Sequence, residues 1–156
     1  MGIRPWDEGD LAQVVALLQE LNEALGEDQV LDLETVKEHY LSMRNQGETY
    51  ESYVFEEHGR VLGFLSIVFY RSVYHRQGTA LVNELVVTRR ERGRKIGEAL
   101  LQRAIDRARE RGMDELEVGV MKDNVDAIAF YKRQGVTEEY LLLGMEFDDI
   151  GVGAGA

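Results

Sequence analysis

After Gly47 the hydrophobic pattern of this chain switches from helical spacing to a period of two. Residues 52–57 and 61–70 alternate as strands and are separated by His58-Gly59-Arg60, a hairpin turn signal. A polar loop carrying Tyr74 and His75, RSVYHRQGT (residues 71–79), leads to a third run, ALVNELVVT (residues 80–88). Three strands in succession set the centre of a sheet and leave the flanking segments to cover it.

The flanks read as helices with clear ends. Residues 2–5 form a short strand, and Asp10 is placed to cap a helix carrying Leu11, Val14, Val15, Leu18 and Leu21, which Gly26 ends. A second helix spans about 33–45, with Leu33, Val36, Tyr40 and Met43 on one face. From about 95 to 111 a third helix turns Ile96, Leu100, Ala104 and Ala108 inward and stops at Gly112. Leu116, Val118 and Val120 alternate as a strand, Asp123 or Asn124 caps a short helix to about Gln134, and 136–147 should supply one or two final strands. The expectation is an α/β (α+β) single domain over 1–148, with a mixed sheet of about six to seven strands and about four helices on its two faces. Residues 149–156 read as a disordered tail.

Composition narrows the function. A chain of 156 residues with 44% hydrophobic content suits one packed domain. No stretch approaches the roughly 20 apolar residues of a membrane span, and MGIRPWDEGD has no signal-peptide core, so a cytoplasmic location is the default. The absence of cysteine excludes disulfides, thiolate zinc sites and cysteine nucleophiles, and His39, His58 and His75 lack metal-ligand spacing, so no metal is expected. A net charge of -11 argues against nucleic-acid binding. The charge is uneven: residues 89–111 hold nine of the 18 Lys+Arg against four acids, whereas residues 1–60 hold 14 acids and four bases. Such a basic island fits either ligands of opposite sign or an ion-paired helix face.

The strand ending at Thr88 feeds the stretch ERGRKIGEALL (residues 91–101), a loop opening a helix. The first N–H groups of a helix lack internal acceptors, and its dipole places about half a positive charge there, which favours phosphate. Gly93 and Gly97 allow close approach, and Arg92, Arg94 and Lys95 add charge. Neither G-x-x-x-x-G-K-[ST] nor G-x-G-x-x-G is present. Further on, NVDAIAFYKRQGV places Asn124 and Tyr131 seven residues apart, within about 20° on a helix.

Together these two segments resemble the GNAT superfamily of N-acetyltransferases. The pattern is a hydrophobic strand, Arg/Gln-x-x-Gly-x-Gly/Ala opening a helix, and about 25 residues later Asn-x-x-Ala-x-x-x-Tyr before Gly-Phe. NELVVTRRERGRKIGEALL supplies the first part and NVDAIAFYKRQGV the second, with Arg92 at the Arg/Gln position and Gly97 at the second small position. Lys95 stands where the family has its first glycine, and Val136 replaces the phenylalanine.

The resemblance implies acetyl-CoA as co-substrate. Its pantetheine arm would pair with the backbone of Leu85, Val86 and Val87, and its pyrophosphate would sit on the N–H groups of Gly93, Arg94, Lys95, Ile96, Gly97 and Glu98. Asn124 would meet the pantetheine arm and Tyr131 the sulfur. Direct attack by an amine needs no protein nucleophile, in keeping with the lack of cysteine and of G-x-S-x-G. Glu84 is the candidate base and Tyr131 the candidate acid for the leaving thiol, with a backbone N–H near Leu85 polarising the carbonyl. Glu117 and Asp123 are weaker base candidates. On a regular strand Glu84 and Val86 face one way and Asn83, Leu85 and Val87 the other, and a bulge would change that count.

The acidic first 60 residues and Tyr70, Tyr74 and His75 point to a small cationic amine as acceptor. A protein or peptide acetyltransferase and a non-catalytic acyl-CoA-binding domain are the alternatives, with no membrane partner and a homodimer left open.

Overall fold

The computed structural model describes residues 2–147. Its elements run β1 (Gly2–Pro5), α1 (Leu11–Leu25), α2 (Leu33–Met43), β2 (Tyr50–Glu57), β3 (Arg60–Tyr70), β4 (Thr79–Val87), α3 (Ile96–Glu110), β5 (Glu115–Val118) and α4 (Val125–Arg133). The strands lie in one sheet in chain order, antiparallel from β1 to β4 and parallel between β4 and β5. The hairpin between β2 and β3 closes on His58 (φ 52°) and Gly59 (φ 75°), the left-handed pair that a tight two-residue turn requires.

Alternation along the strands builds two cores. Val54, Phe64 and Val86 meet Val14 and Leu17 of α1 on one face. Leu65, Ile67, Ala80 and Val82 meet Ile96, Leu100, Leu101 and Ala104 of α3 on the other. Leu65, Leu100 and Val14 are completely enclosed, and each such side chain contributes roughly 1.5–3 kcal/mol by leaving water.

Two expectations are corrected. Among the described residues the sheet has five strands, not six to seven, because residues 136–147 form no strand. With no strand after α4, β4–α3–β5 is the one strand-helix-strand crossover among the described residues. Asp10 does not cap α1 with its side chain. Its carboxylate instead accepts the Asp7 N–H at 2.8 Å and a bidentate pair from Arg4 at 2.8 Å each, while Asp7 caps the 3-10 turn over Glu8–Asp10. A buried carboxylate gains more from a guanidinium fork and an N–H than from one helix N–H. The tail beyond residue 147 lies outside the described residues.

The charge asymmetry is partly internal. Arg94 pairs with Glu57 at 2.9 Å, Arg107 with Glu51 at 2.8 Å, Arg111 with Glu51 at 3.8 Å and Arg89 with Glu23 at 3.9 Å. The basic island therefore docks on the acidic N-terminal half. Glu27, Asp28, Glu34 and Glu38, at the α1–α2 connection and on α2, keep no ion pair among the described residues.

Candidate active site

The site grows from one irregularity in β4. Ile67 of β3 pairs with Val82 and Ser66 with Glu84, so Asn83 has no partner across the ladder. This bulge shifts the side-chain count by one. Ala80 and Val82 pack under α3, and an unbroken count would send Glu84 to that same face. The extra residue instead turns Glu84 toward α1, on the face of Val86 and Phe64. The Ser66 hydroxyl donates to the Glu84 carboxylate and accepts the Glu84 N–H at 3.1 Å. Burial pushes the Glu84 carboxyl above its ordinary value.

The bulge also opens the sheet. β5 pairs with β4 only across Thr79–Val82, so the stretch from Asn83 to Val87 has no strand on its β5 side. Leu85, Val86 and Val87 therefore line the open side with main chain, the kind of edge that an extended amide-bearing arm can join. Past β4, the chain makes a 3-10 turn over Arg89–Glu91 and enters α3. From Arg92 to Glu98 no backbone N–H meets an acceptor among the described residues. Seven consecutive free donors, at the positive end of a 15-residue helix, are suited to an anion.

Lys95 makes this turn possible in an unexpected conformation. Helical angles would have sufficed for an N–H aimed at phosphate, yet Lys95 is left-handed at φ 62°, ψ 20° as the N-cap of α3. That is the geometry glycine adopts freely, and a side chain there costs roughly 1–2 kcal/mol. Gly97 differs: a methyl built on it would sit 3.6 Å from Phe130 and 3.7 Å from Val87, ordinary contact distances. Its bare face looks into the gap between β4 and α4. The Arg94 guanidinium is held by Glu57 and by Glu91 at 2.6 Å, so it adds little free charge, whereas Arg92 and Lys95 have no ion pair among the described residues.

Asn124 caps α4, its side-chain oxygen accepting the Ala127 N–H at 3.2 Å. Tyr131, one face down, packs beside Phe130 against the α3-side core, and its hydroxyl has no hydrogen bond among the described residues. Burial raises its pKa. Of this helix, Phe130 is the residue that meets the gap beside Val87 and Gly97. Of the weaker carboxylates, Glu117 accepts the Tyr70 hydroxyl at 2.8 Å, and Asp123 precedes the cap.

A residue row not singled out from sequence leads to Glu84. Ser52, Ser66 and Glu84 are cross-strand partners on β2, β3 and β4, so they step across the sheet at about 4.8 Å per strand. Ser52 lies on the wall of a cavity of about 220 Å³ formed with Trp6, Tyr40, Met43 and Tyr50. No residue of β4, α3 or α4 lines that cavity, so it is separate from the gap beside β4. The signal in sequence was the pair of serines at inward positions of apolar strands. In the loop 71–79, Tyr74 is exposed and His75 pairs with Glu115 at 3.0 Å, so neither faces Glu84.

Known proteins are similar to this chain in sequence and in fold. The model of the acetyltransferase (GNAT) family matches residues 14–136. The chain belongs to this family. An uncharacterized N-acetyltransferase of Methanocaldococcus jannaschii is 36% identical over 93 residues, 59% of this chain and 41% of that protein. The aminoalkylphosphonate N-acetyltransferase of Salmonella typhimurium is 33% identical over 82 residues, 53% of each chain. This GNAT chain thus spans about half the length of the curated relatives it matches. In fold it is similar to the glucosamine-6-phosphate N-acetyltransferase of Arabidopsis thaliana, with a TM-score of 0.79 over 94% of this chain and 97% of that one at 19% identity. Among the described residues no helix is long and apolar enough to cross a membrane, and no group of His, Cys, Asp or Glu is arranged to hold a metal.

Proposed function

We propose that this GNAT chain transfers the acetyl group of acetyl-CoA to the primary amine of a small cationic molecule. The observation that carries the reading is the run of free N–H groups from Arg92 to Glu98 at the end of a β4 edge with no strand partner. One feature suits a pyrophosphate and the other an amide-bearing arm, and they are contiguous. Gly93, Arg94, Lys95, Ile96, Gly97 and Glu98 hold the phosphates through main chain, with Arg92 and Lys95 adding charge. Leu85, Val86 and Val87 align the arm, and Asn124 flanks it. Bound acetyl-CoA supplies an activated acyl carbon and a leaving thiol.

The chain then has three tasks. Glu84 takes the proton of the incoming ammonium, directly or through water, and its raised pKa brings it closer to that of the proton it must accept. A main-chain N–H near Leu85 stabilises the negative charge that develops on the acyl oxygen. Tyr131 gives the proton of its Oη to the departing sulfur, for which its unpartnered hydroxyl is available, and the second proton shed by the newly acylated nitrogen restores the phenol. The acids without partners at the α1–α2 connection favour a cationic acceptor over a neutral one.

The test is a panel of polyamines, aminoglycosides, aminoalkylphosphonates and basic peptides, assayed with acetyl-CoA by thiol release. Turnover on one small-amine class supports the reading. Turnover on peptides alone moves the chain to the protein-acetyltransferase alternative. Tight CoA binding with no turnover on any amine leaves a non-catalytic acyl-CoA-binding domain.

A further inference from the structure

We propose that the cavity between α2 and β2 is a second ligand site that takes a small aromatic carboxylate, its ring among Trp6, Tyr40 and Tyr50 and its carboxylate on Arg44. The proposal rests on that cavity and stands apart from the acetyl-transfer reading.

The walls come from three elements held together in the fold. Trp6 follows β1, and its N–H donates to the Ser52 carbonyl of β2 at 3.2 Å. Its ring lies 5.1 Å from that of Phe64 and, edge to face, 5.2 Å from that of Tyr40 on α2. Met43 and Arg44 at the end of α2, with Tyr50 and Ser52 at the start of β2, complete a cavity of about 220 Å³. An apolar cavity of about 150 Å³ already accepts benzene. The space here therefore suits a single ring with a short side arm. Aromatic walls favour an aromatic guest, whose edge can meet a ring face, and the Met43 thioether adapts to its outline.

Charge decides the other end of the guest. Two charged residues line the cavity, Arg44 and Glu51. The Glu51 carboxylate is already engaged, accepting from Arg107 Nε at 3.0 Å and from its terminal nitrogen at 2.8 Å, with Arg111 at 3.8 Å. Arg44 is exposed and has no ion pair among the described residues. The balance at the cavity is thus positive. A guanidinium fork matches both oxygens of a carboxylate, which sets this guest opposite in sign to an amine acceptor.

The same geometry keeps the guest away from the acetyl-transfer residues. Ser52, Ser66 and Glu84 are cross-strand partners on β2, β3 and β4. Ser66 is 4% exposed and stands between the other two, so the cavity ends at Ser52 and its guest does not touch Glu84.

Trp6 is the only tryptophan of the chain, so its emission reports on this cavity alone. The full chain is titrated with phenylacetate and 3-phenylpropionate, and with benzyl alcohol and phenethylamine for comparison. The carboxylates should change the emission saturably and at concentrations about tenfold or more below the alcohol and the amine. Arg44→Gln, a change at an exposed position, should weaken the carboxylates about tenfold and leave the alcohol as it was. Saturating CoA should leave carboxylate binding unchanged. Emission that does not saturate with either carboxylate overturns the proposal. So does equal binding of carboxylate and amine, or an Arg44→Gln chain that binds the carboxylates as before. Displacement of the carboxylate by CoA overturns it as well, because the cavity would then belong to the acetyl-transfer site.

Discussion

Glu84 and Ser66 hold each other across β3 and β4 in both directions: the hydroxyl donates to the carboxylate and accepts the N–H of the same residue at 3.1 Å. A half-buried acid is thereby fixed in one orientation, with no positive partner among the described residues. Its raised pKa means that folding disfavours the charged form, so stability is full below about pH 4.5 and falls as pH climbs through the raised folded value. Glu84→Gln should therefore raise the melting temperature at pH 7, with the gain shrinking in acid. The same change should lower kcat by roughly 10²–10⁴ if Glu84 is the base. Parallel thermal melts at pH 4 and 7 and steady-state kinetics check both halves, and a variant less stable at pH 7 contradicts the electrostatic account.

Tyr131→Phe removes a hydroxyl that makes no hydrogen bond among the described residues. Stability should stay within about 0.5 kcal/mol. With the ring retained, CoA affinity should hold while kcat falls on the order of 10²-fold. Calorimetric titration with CoA beside an initial-rate assay separates the two. Equal loss in both would make Tyr131 a wall of the site and not its acid.

Lys95→Gly relieves the left-handed side chain at the head of α3 and should stabilise the fold by about 1 kcal/mol. Because the phosphate grip assigned here is main-chain, the dissociation constant for CoA should change less than tenfold, about 1.4 kcal/mol. Gly97→Glu should abolish binding, since its side chain would enter the gap facing Val87 and Phe130. Chemical denaturation and CoA titration of the two variants are the measurements. Similar mild effects from both would displace the phosphate turn.

Asp10→Ala strips Arg4 and the Asp7 N–H of a shared acceptor that is 4% exposed. Burial works to raise the Asp10 pKa, but the hydrogen bonds from Arg4 and Asp7 and the charge of Arg4 bring it below its ordinary value of 3.8. Its contribution is thus present above about pH 4 and lost as pH falls through the lowered value. The variant should lose roughly 2–3 kcal/mol at pH 7 and much less near pH 2. Urea unfolding at both values tests the sign.

The elements whose cause is local were legible from the residues. Period-two runs gave β2 to β4, and helical spacing with Gly26, Gly112 and Gly135 placed the helices within a residue or two. Features set by pairing were not. The bulge at Asn83 exists because β3 and β4 register on both sides of it, and no residue type announces that. Asp10 reads as a helix cap until Arg4 is seen beside it, and the basic island fits a ligand surface as well as an ion-paired face until Glu51 and Glu57 meet it. Residues 136–147 carry a strand pattern but no strand partner among the described residues, so pattern alone placed a strand that the described sheet does not contain. In the site, Glu84 was identifiable by type and position, whereas the face it takes was decided by one uncounted residue.

That residue gives the chain a property unlike any of its contacts. Asn83 is exposed and contributes almost nothing to packing, yet everything after it in β4 keeps its orientation only because it is there. Removing it would alter the phase of the strand more than its length. Val86 would rotate out of the α1 core, Leu85 and Val87 would exchange sides with it, and the turn at Arg92–Glu98 would leave the sheet from the opposite side. Replacing Asn83 should be almost silent, while deleting it should destroy the molecule.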